Sequence, residues 1–260
     1  MMKTTSFFLF FLSALLATTF VGCPKPTDNL GSVELQLKTT YGSQPFVLYT
    51  QYGYKTPRKI QFDKVQFYIS DIKLISGQRE MAVLDNIFID LAKYNTTPAL
   101  AAQYATIGTA DNSIVPDTYT AIRFGIGVSP AFNKTRPSDY ANGQPLANSD
   151  MYWSVWDSYI FANIEGKLDT LVGTVPRPLQ FAYHTGTDSL YRTVTLPISS
   201  VVQGGQKNTI SIALDVQKIF ATSLDTLNIA GAPIPKIPPV LTPEIMILHH
   251  LVENFAKAFK

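Results

Sequence analysis

From Val33 onward the chain alternates. Val33, Leu35 and Leu37 are apolar, while Ser32, Glu34, Gln36 and Lys38 around them are polar. That is the period-two pattern of a strand with one face buried. Phe67, Ile69, Ile72 and Leu74 carry the pattern on, with a change of phase at Ser70-Asp71. Such a slip predicts a β-bulge in one long strand, or a break between two. Further strands are predicted over residues 83–91, 119–128, 159–168, 179–184, 191–198 and 209–216. Gly, Pro, Asn and Asp separate them, as turns require.

Three stretches leave this rhythm. The alanine-rich residues 96–104 predict a short helix, and residues 129–150 form a long polar loop containing Pro130, Pro137 and Pro145. A loop of that length inside a compact domain is usually functional. After a proline-rich connector from Pro233 to Pro239, Thr242-Pro243-Glu244 supplies an N-cap, a first-turn proline and an early acid. Ile245, Leu248, Leu251, Val252, Phe255 and Phe259 then recur at helical spacing, so residues 243–259 predict an amphipathic helix lying on the β-core. The expected fold is all-β, an antiparallel β-sandwich with a C-terminal amphipathic helix.

The N-terminus follows other rules. Lys3 precedes an almost unbroken apolar run from Phe7 to Phe20, then Val21-Gly22-Cys23 and an abruptly polar stretch beginning Pro24-Lys25-Pro26. A basic start, a short apolar segment and a small residue before cysteine are the layout of a bacterial lipoprotein signal. The run is too short and one-sided for an ordinary membrane-spanning helix. The expected organisation is a signal peptide over residues 1–22, a tether over 23–30 with lipid on Cys23, and one domain over 31–260. The mature protein is then expected in the cell envelope, anchored to a membrane outside the cytoplasm.

Charge and composition narrow the function. A net charge of +2, without a concentrated basic patch, speaks against a nucleic-acid partner. Cys23 is the only cysteine, so once lipidated it leaves no thiol for disulfides, zinc-thiolate sites or redox chemistry. There is no glycine-flanked nucleophile, HExxH zinc site, P-loop, dinucleotide fingerprint or EF-hand loop. No acid/base pair with a nucleophile is visible, and a non-catalytic protein is expected.

The densest candidate chemistry is Met151-Tyr152-Trp153-Ser154-Val155-Trp156-Asp157-Ser158-Tyr159, which holds both tryptophans of the chain. Aromatic residues of this kind either plug the end of a sandwich or line a soft-ligand pocket. Imidazole and thioether suit copper(I), whereas carboxylates and carbonyls suit harder ions. The histidines are His184, His249 and His250, so any imidazole site draws on these three. Adjacent residues on a helix point about 100° apart, and His249, which shares a face with Ile245 and Val252, is the better inward candidate. Met151 is either a thioether ligand or core filling. Glu165, before Gly166, is read mainly as a turn acceptor.

Several stretches, in order along the chain, resemble the MbnP-like family of extracytoplasmic copper-binding proteins. They are Val65 to Leu74, Tyr119 through Phe124-Gly125-Ile126-Gly127-Val128, Met151-Tyr152-Trp153-Ser154 through Tyr159-Ile160-Phe161, Glu165-Gly166, Phe181-Ala182-Tyr183-His184-Thr185-Gly186, and Asn254-Phe255 near Phe259. The resemblance implies a β-sandwich lipoprotein that binds copper, as Cu(I). In some relatives a tryptophan is oxidised to kynurenine and its freed amine joins two histidines on the metal. It implies Trp153 or Trp156 as the modified residue, His184 as one imidazole ligand and a di-haem tryptophan-oxidising partner; His249 and Met151 complete the metal-site candidates on the residue reading above. The family's tryptophans are spaced more like W-x-W, whereas two residues separate Trp153 from Trp156 here. The alternative expectation is an adhesion or ligand-binding sandwich that kept the fold and lost the metal site.

Overall fold

The computed structural model describes residues 29–169, 178–221, 226–230 and 243–260. The leader, Cys23 and most of the tether, the Pro233–Pro239 connector and the Thr242 cap lie outside the described residues.

Among the described residues, twelve strands and three helices follow in order: β1 (Gly31–Tyr41), β2 (Gln44–Pro45), β3 (Gln51–Gly53), β4 (Lys59–Ser76), β5 (Arg79–Asp90), α1 (Pro98–Ala101), β6 (Ala105–Ile114), β7 (Asp117–Ile126), β8 (Tyr152–Trp153), β9 (Ser158–Asp169), β10 (Pro178–Gly186), β11 (Arg192–Val202), β12 (Lys207–Asp215), α2 (Val216–Phe220) and α3 (Pro243–Ala258). A smaller sheet holds β12, β1, β2 and β6, and a larger one is built around β4. In β1 every second residue is buried, as the alternation requires. The fold is the expected all-β sandwich with a C-terminal helix. One described pairing departs from the antiparallel expectation: β1 and β12 run parallel, with Leu35 opposite Ile210 and Leu37 opposite Ile212. Alternation states which face is buried and is silent on strand direction. β6 and α2 have no counterpart in the sequence reading. The residues of β6 alternate poorly, and its only described ladder is with β1.

β4 is the spine of the larger sheet. Its phase change is a true irregularity: the register slips between Ile72 and Lys73 against β5 and between Ser70 and Lys73 against β7. Asp71 sits there at φ 52°, a left-handed conformation that aspartate tolerates better than most residues. β5 occupies one edge of β4 from Gln66 to Ser76. β9, paired to residues Ile60–Phe67, and β7, paired to Ile69–Ile75, must therefore share the other edge. The sheet forks at this point. Gly127, at φ 101°, fits the fork because a Cβ there would lie 2.4 Å from the Phe161 ring.

The fork divides the apolar packing in two. Between the sheets, Phe67 meets Phe255 at 5.1 Å and Phe124 meets Phe259 at 5.0 Å, so α3 is wedged into the main core. Ile245, Leu248, Leu251, Val252, Phe255 and Phe259 are all buried, and each contributes about 1.5–3 kcal/mol of transfer free energy. On the outer face of the larger sheet a second cluster gathers Tyr68, Val128, Leu146, Met151, Tyr159, Ile160 and Phe161. The loop after β7 makes it possible. It folds into single 3-10 turns at Pro137–Asp139, Pro145–Ala147 and Ser149–Met151. Tyr68 and Tyr159 donate their hydroxyls to the Pro145 and Leu146 carbonyls, each at 3.0 Å. Burial pushes the Tyr159 hydroxyl up to about 12, which keeps it a donor at any physiological pH. No helix among the described residues is long and apolar enough to cross a membrane.

Candidate metal centre

The turn after the outer cluster brings the two indoles into close, tilted contact. Trp156 N–H donates to the Trp153 carbonyl at 3.1 Å, closing a four-residue turn in which the first and fourth side chains meet. Their ring centroids are 3.8 Å apart. The two-residue gap is thus what a turn needs to bring the rings together. Asp157, at φ 50°, ends the turn. It accepts from the Tyr152 hydroxyl at 2.6 Å and from Arg136 at 3.0 Å. These two donors hold its carboxyl below the usual carboxylate range. Val155 at the apex is 81% exposed, so the turn projects outward while the rings stay half-buried.

His184 approaches from the sheet. Along β10, Phe181 and Tyr183 are buried in the main core; alternation therefore turns Ala182 and His184 to the outer face. The His184 ring centroid lies 6.2 Å from that of Trp153, in an edge-on arrangement. Its Nε2 is 3.3 Å from Glu165 Oε1, which Lys64 Nζ also reaches at 3.1 Å. Lys64 on β4 stands opposite Glu165 on β9 in the ladder, so adjacent strands assemble a Lys64–Glu165–His184 row. Burial raises the Glu165 pKa, but Lys64, His184 and the Asn163 side chain outweigh it and hold the carboxyl below its ordinary value. Glu165 is thus a charged cross-strand hub as well as a residue before a glycine.

Asn163 is the residue the sequence reading missed. It sits opposite His184 in the β9–β10 register, is 7% exposed, and its Oδ1 has no hydrogen-bond partner among the described residues. An asparagine in the middle of a strand carries no local signal for such a role.

The remaining candidates lie in other surroundings. Met151 is 1% exposed, packed within the outer cluster. His249 on α3 has Nδ1 3.1 Å from Arg192 Nη2, and Arg192 also pairs with Glu253. α3 packs on the inner face of the sheet, opposite the face that carries His184. The structure thus pairs Trp153 with Trp156, sets His184 beside Trp153, and engages His249 with Arg192. Among the described residues no three His, Cys, Asp or Glu side chains converge as a metal cluster.

A protein-family model, MbnP, matches residues 30–237. The chain belongs to the MbnP family. Among solved structures, MbnP from Methylosinus trichosporium shares the fold with a TM-score of 0.51 at 11% identity, over 84% of this chain and 86% of that one. At that identity the likeness is one of architecture. No curated protein sequence matches the chain. The MbnP match includes every described strand and the whole Trp153–His184 neighbourhood, and ends before α3.

Proposed function

We propose that this MbnP-family chain is a non-catalytic copper-handling protein of the cell envelope, held to a membrane by lipid on Cys23, with His184 as its anchoring ligand. The observation that carries the reading is the edge-on approach of the His184 imidazole to Trp153, whose ring is itself paired with Trp156. The donor set fits a soft cation better than a hard one. Glu165 is already paired with Lys64, no carboxylate cluster is present among the described residues, and the groups that remain are the His184 imidazole and the Trp153 ring beside it. An intact indole offers its π face and no free lone pair. Opening one of these rings, by a di-haem oxidase such as the family resemblance implies, would add an aniline nitrogen beside His184. Copper bound here would be stored or passed on, the chain's own part being to hold it in a half-buried, aromatic-walled position.

A second reading has its own support. A cleft of about 440 Å³ lies between β5, β6 and the 143–148 segment, with Asn86, Phe88, Gly108 and Gln144 among its walls. The buried Asn86 Oδ1 has no partner among the described residues, which suits a small-ligand-binding sandwich.

Metal analysis and intact mass of protein purified from its native envelope separate the two. Copper bound to the native protein is the expected result, with affinity falling more than about tenfold in His184→Ala. The fall in His249→Ala is expected to be smaller, and exposed Lys218→Ala should bind as the parent does. Copper-free native protein with unmodified tryptophans and an unaffected His184→Ala variant would instead leave the ligand-binding sandwich.

A further inference from the structure

Asn163 holds a buried oxygen without a partner among the described residues. Cross-strand partners in an antiparallel ladder project from the same face with Cβ atoms about 5 Å apart, so Asn163 and His184 look into the same space. The amide cannot be turned round at will. The Asn163 side chain is among the groups that lower the Glu165 carboxyl, as an NH₂ turned toward an anion that only accepts would do, and Oδ1 is the amide atom without a partner among the described residues. A buried carbonyl-type oxygen without a partner costs about 1–3 kcal/mol, and most buried polar side-chain atoms avoid that cost. The same carboxylate sets the imidazole. With Nε2 donating to Glu165, His184 keeps its lone pair on Nδ1. Glu165, itself fixed by Lys64, thus orders two neighbours so that one nitrogen and one oxygen lone pair stay free on one face.

We infer that Asn163 Oδ1 and His184 Nδ1 act as an N,O donor pair, positioned by Glu165, that lets the site hold oxidised, divalent copper as well as the reduced ion. The inference rests on the copper reading above and adds a ligand and an oxidation state to it. Copper(II) takes nitrogen and oxygen donors in open tetragonal arrangements, whereas an amide oxygen contributes little to soft copper(I). Removing Asn163 Oδ1 should therefore discriminate between the two ions, and removing His184 should not.

The test uses the purified full-length protein. Copper(II) binding is followed by electron paramagnetic resonance, with pulsed detection of the remote imidazole nitrogen; copper(I) is followed anaerobically by competition with a colorimetric chelator. The expected result is one copper(II) with a single imidazole signature. In Asn163→Ala its affinity drops about tenfold or more, while copper(I) affinity changes less than about threefold, and His184→Ala weakens both. Asn163→Val, β-branched and suited to a strand, repeats the measurement if the alanine variant folds poorly. Glu165→Gln should alter the remote-nitrogen coupling, since that nitrogen faces the carboxylate. Wild-type protein that takes copper(I) and refuses copper(II), or Asn163 variants that bind copper(II) as tightly as wild type, overturns this inference and leaves the copper reading standing. Wild-type protein that binds neither ion overturns both.

Discussion

Phe67 and Tyr68 are neighbours in β4 that belong to different apolar clusters. The Phe67 ring lies 5.1 Å from Phe255 of α3, between the sheets. Tyr68 points the other way, packs against Tyr159 at 6.1 Å and donates its hydroxyl to the Pro145 carbonyl at 3.0 Å. One strand therefore anchors the terminal helix with one side chain and the long loop with the next. Tyr68→Phe keeps the ring and removes the hydrogen bond, leaving the Pro145 carbonyl without its tyrosine donor. It should cost about 1 kcal/mol, and limited proteolysis should show faster cleavage within residues 129–150 while α3 stays protected.

The helix contact is the larger one energetically. Phe255 is fully buried and touches Phe67 and Phe259. Phe255→Ala should destabilise the protein by about 3–5 kcal/mol, the range for a large aromatic lost from a packed core. Denaturant unfolding measures this directly. A midpoint equal to that of the parent would mean that α3 does not seat on the core as described.

At the fork in the larger sheet, backbone conformation and space act together. Gly127 has φ 101° and no room for a Cβ beside Phe161. Gly127→Ala should cost at least about 1–3 kcal/mol from backbone strain alone, with the Phe161 clash in addition. Gly143, also at positive φ with nothing near its missing Cβ, is the control: its alanine variant carries the strain without the clash. Equal losses at the two glycines would show that crowding at the fork is relieved by side-chain movement.

Acid should loosen the row under His184. The Glu165 carboxyl is held below its ordinary value by Lys64, His184 and Asn163 against the opposing effect of burial. A depressed folded-state pKa stabilises the fold above the unfolded value and loses that contribution as pH falls through the folded value. Wild type should therefore exceed Glu165→Gln in stability near neutral pH, and the gap should close below about pH 4. Denaturant midpoints across that range check it. Glu165 is about one-third exposed, so solvent screens the pairing and the gap should be modest.

The candidate site was legible only in part. Trp153, Trp156 and His184 stand out because few residue types combine aromatic and imidazole chemistry, and each occurs rarely in this chain. Their meeting was not written in their spacing. It arises because a four-residue turn brings the indoles into contact and a neighbouring ladder brings the imidazole to Trp153. His249 was as visible as His184 in the sequence, yet its Nδ1 lies against Arg192, a partner 57 residues away. Asn163 and Lys64 had no sequence signature, because their importance comes from standing across a ladder from His184 and Glu165.

By itself the sequence determined the periodicities: which faces of the strands are buried, the irregularity at Ser70-Asp71, and the apolar stripe of α3. These are local consequences of side-chain direction every two residues in a strand and about every 3.6 in a helix, and they hold whatever the partner. Only the tertiary structure decided partners. It set β12 parallel to β1, placed β7 and β9 along one edge of β4, folded the 129–150 loop over Tyr68, and left the Asn163 oxygen, across the ladder from His184, without a partner among the described residues. Each of these depends on contacts between residues far apart in the chain. Alternation constrains the face a residue takes, and the global packing chooses which neighbour it meets there.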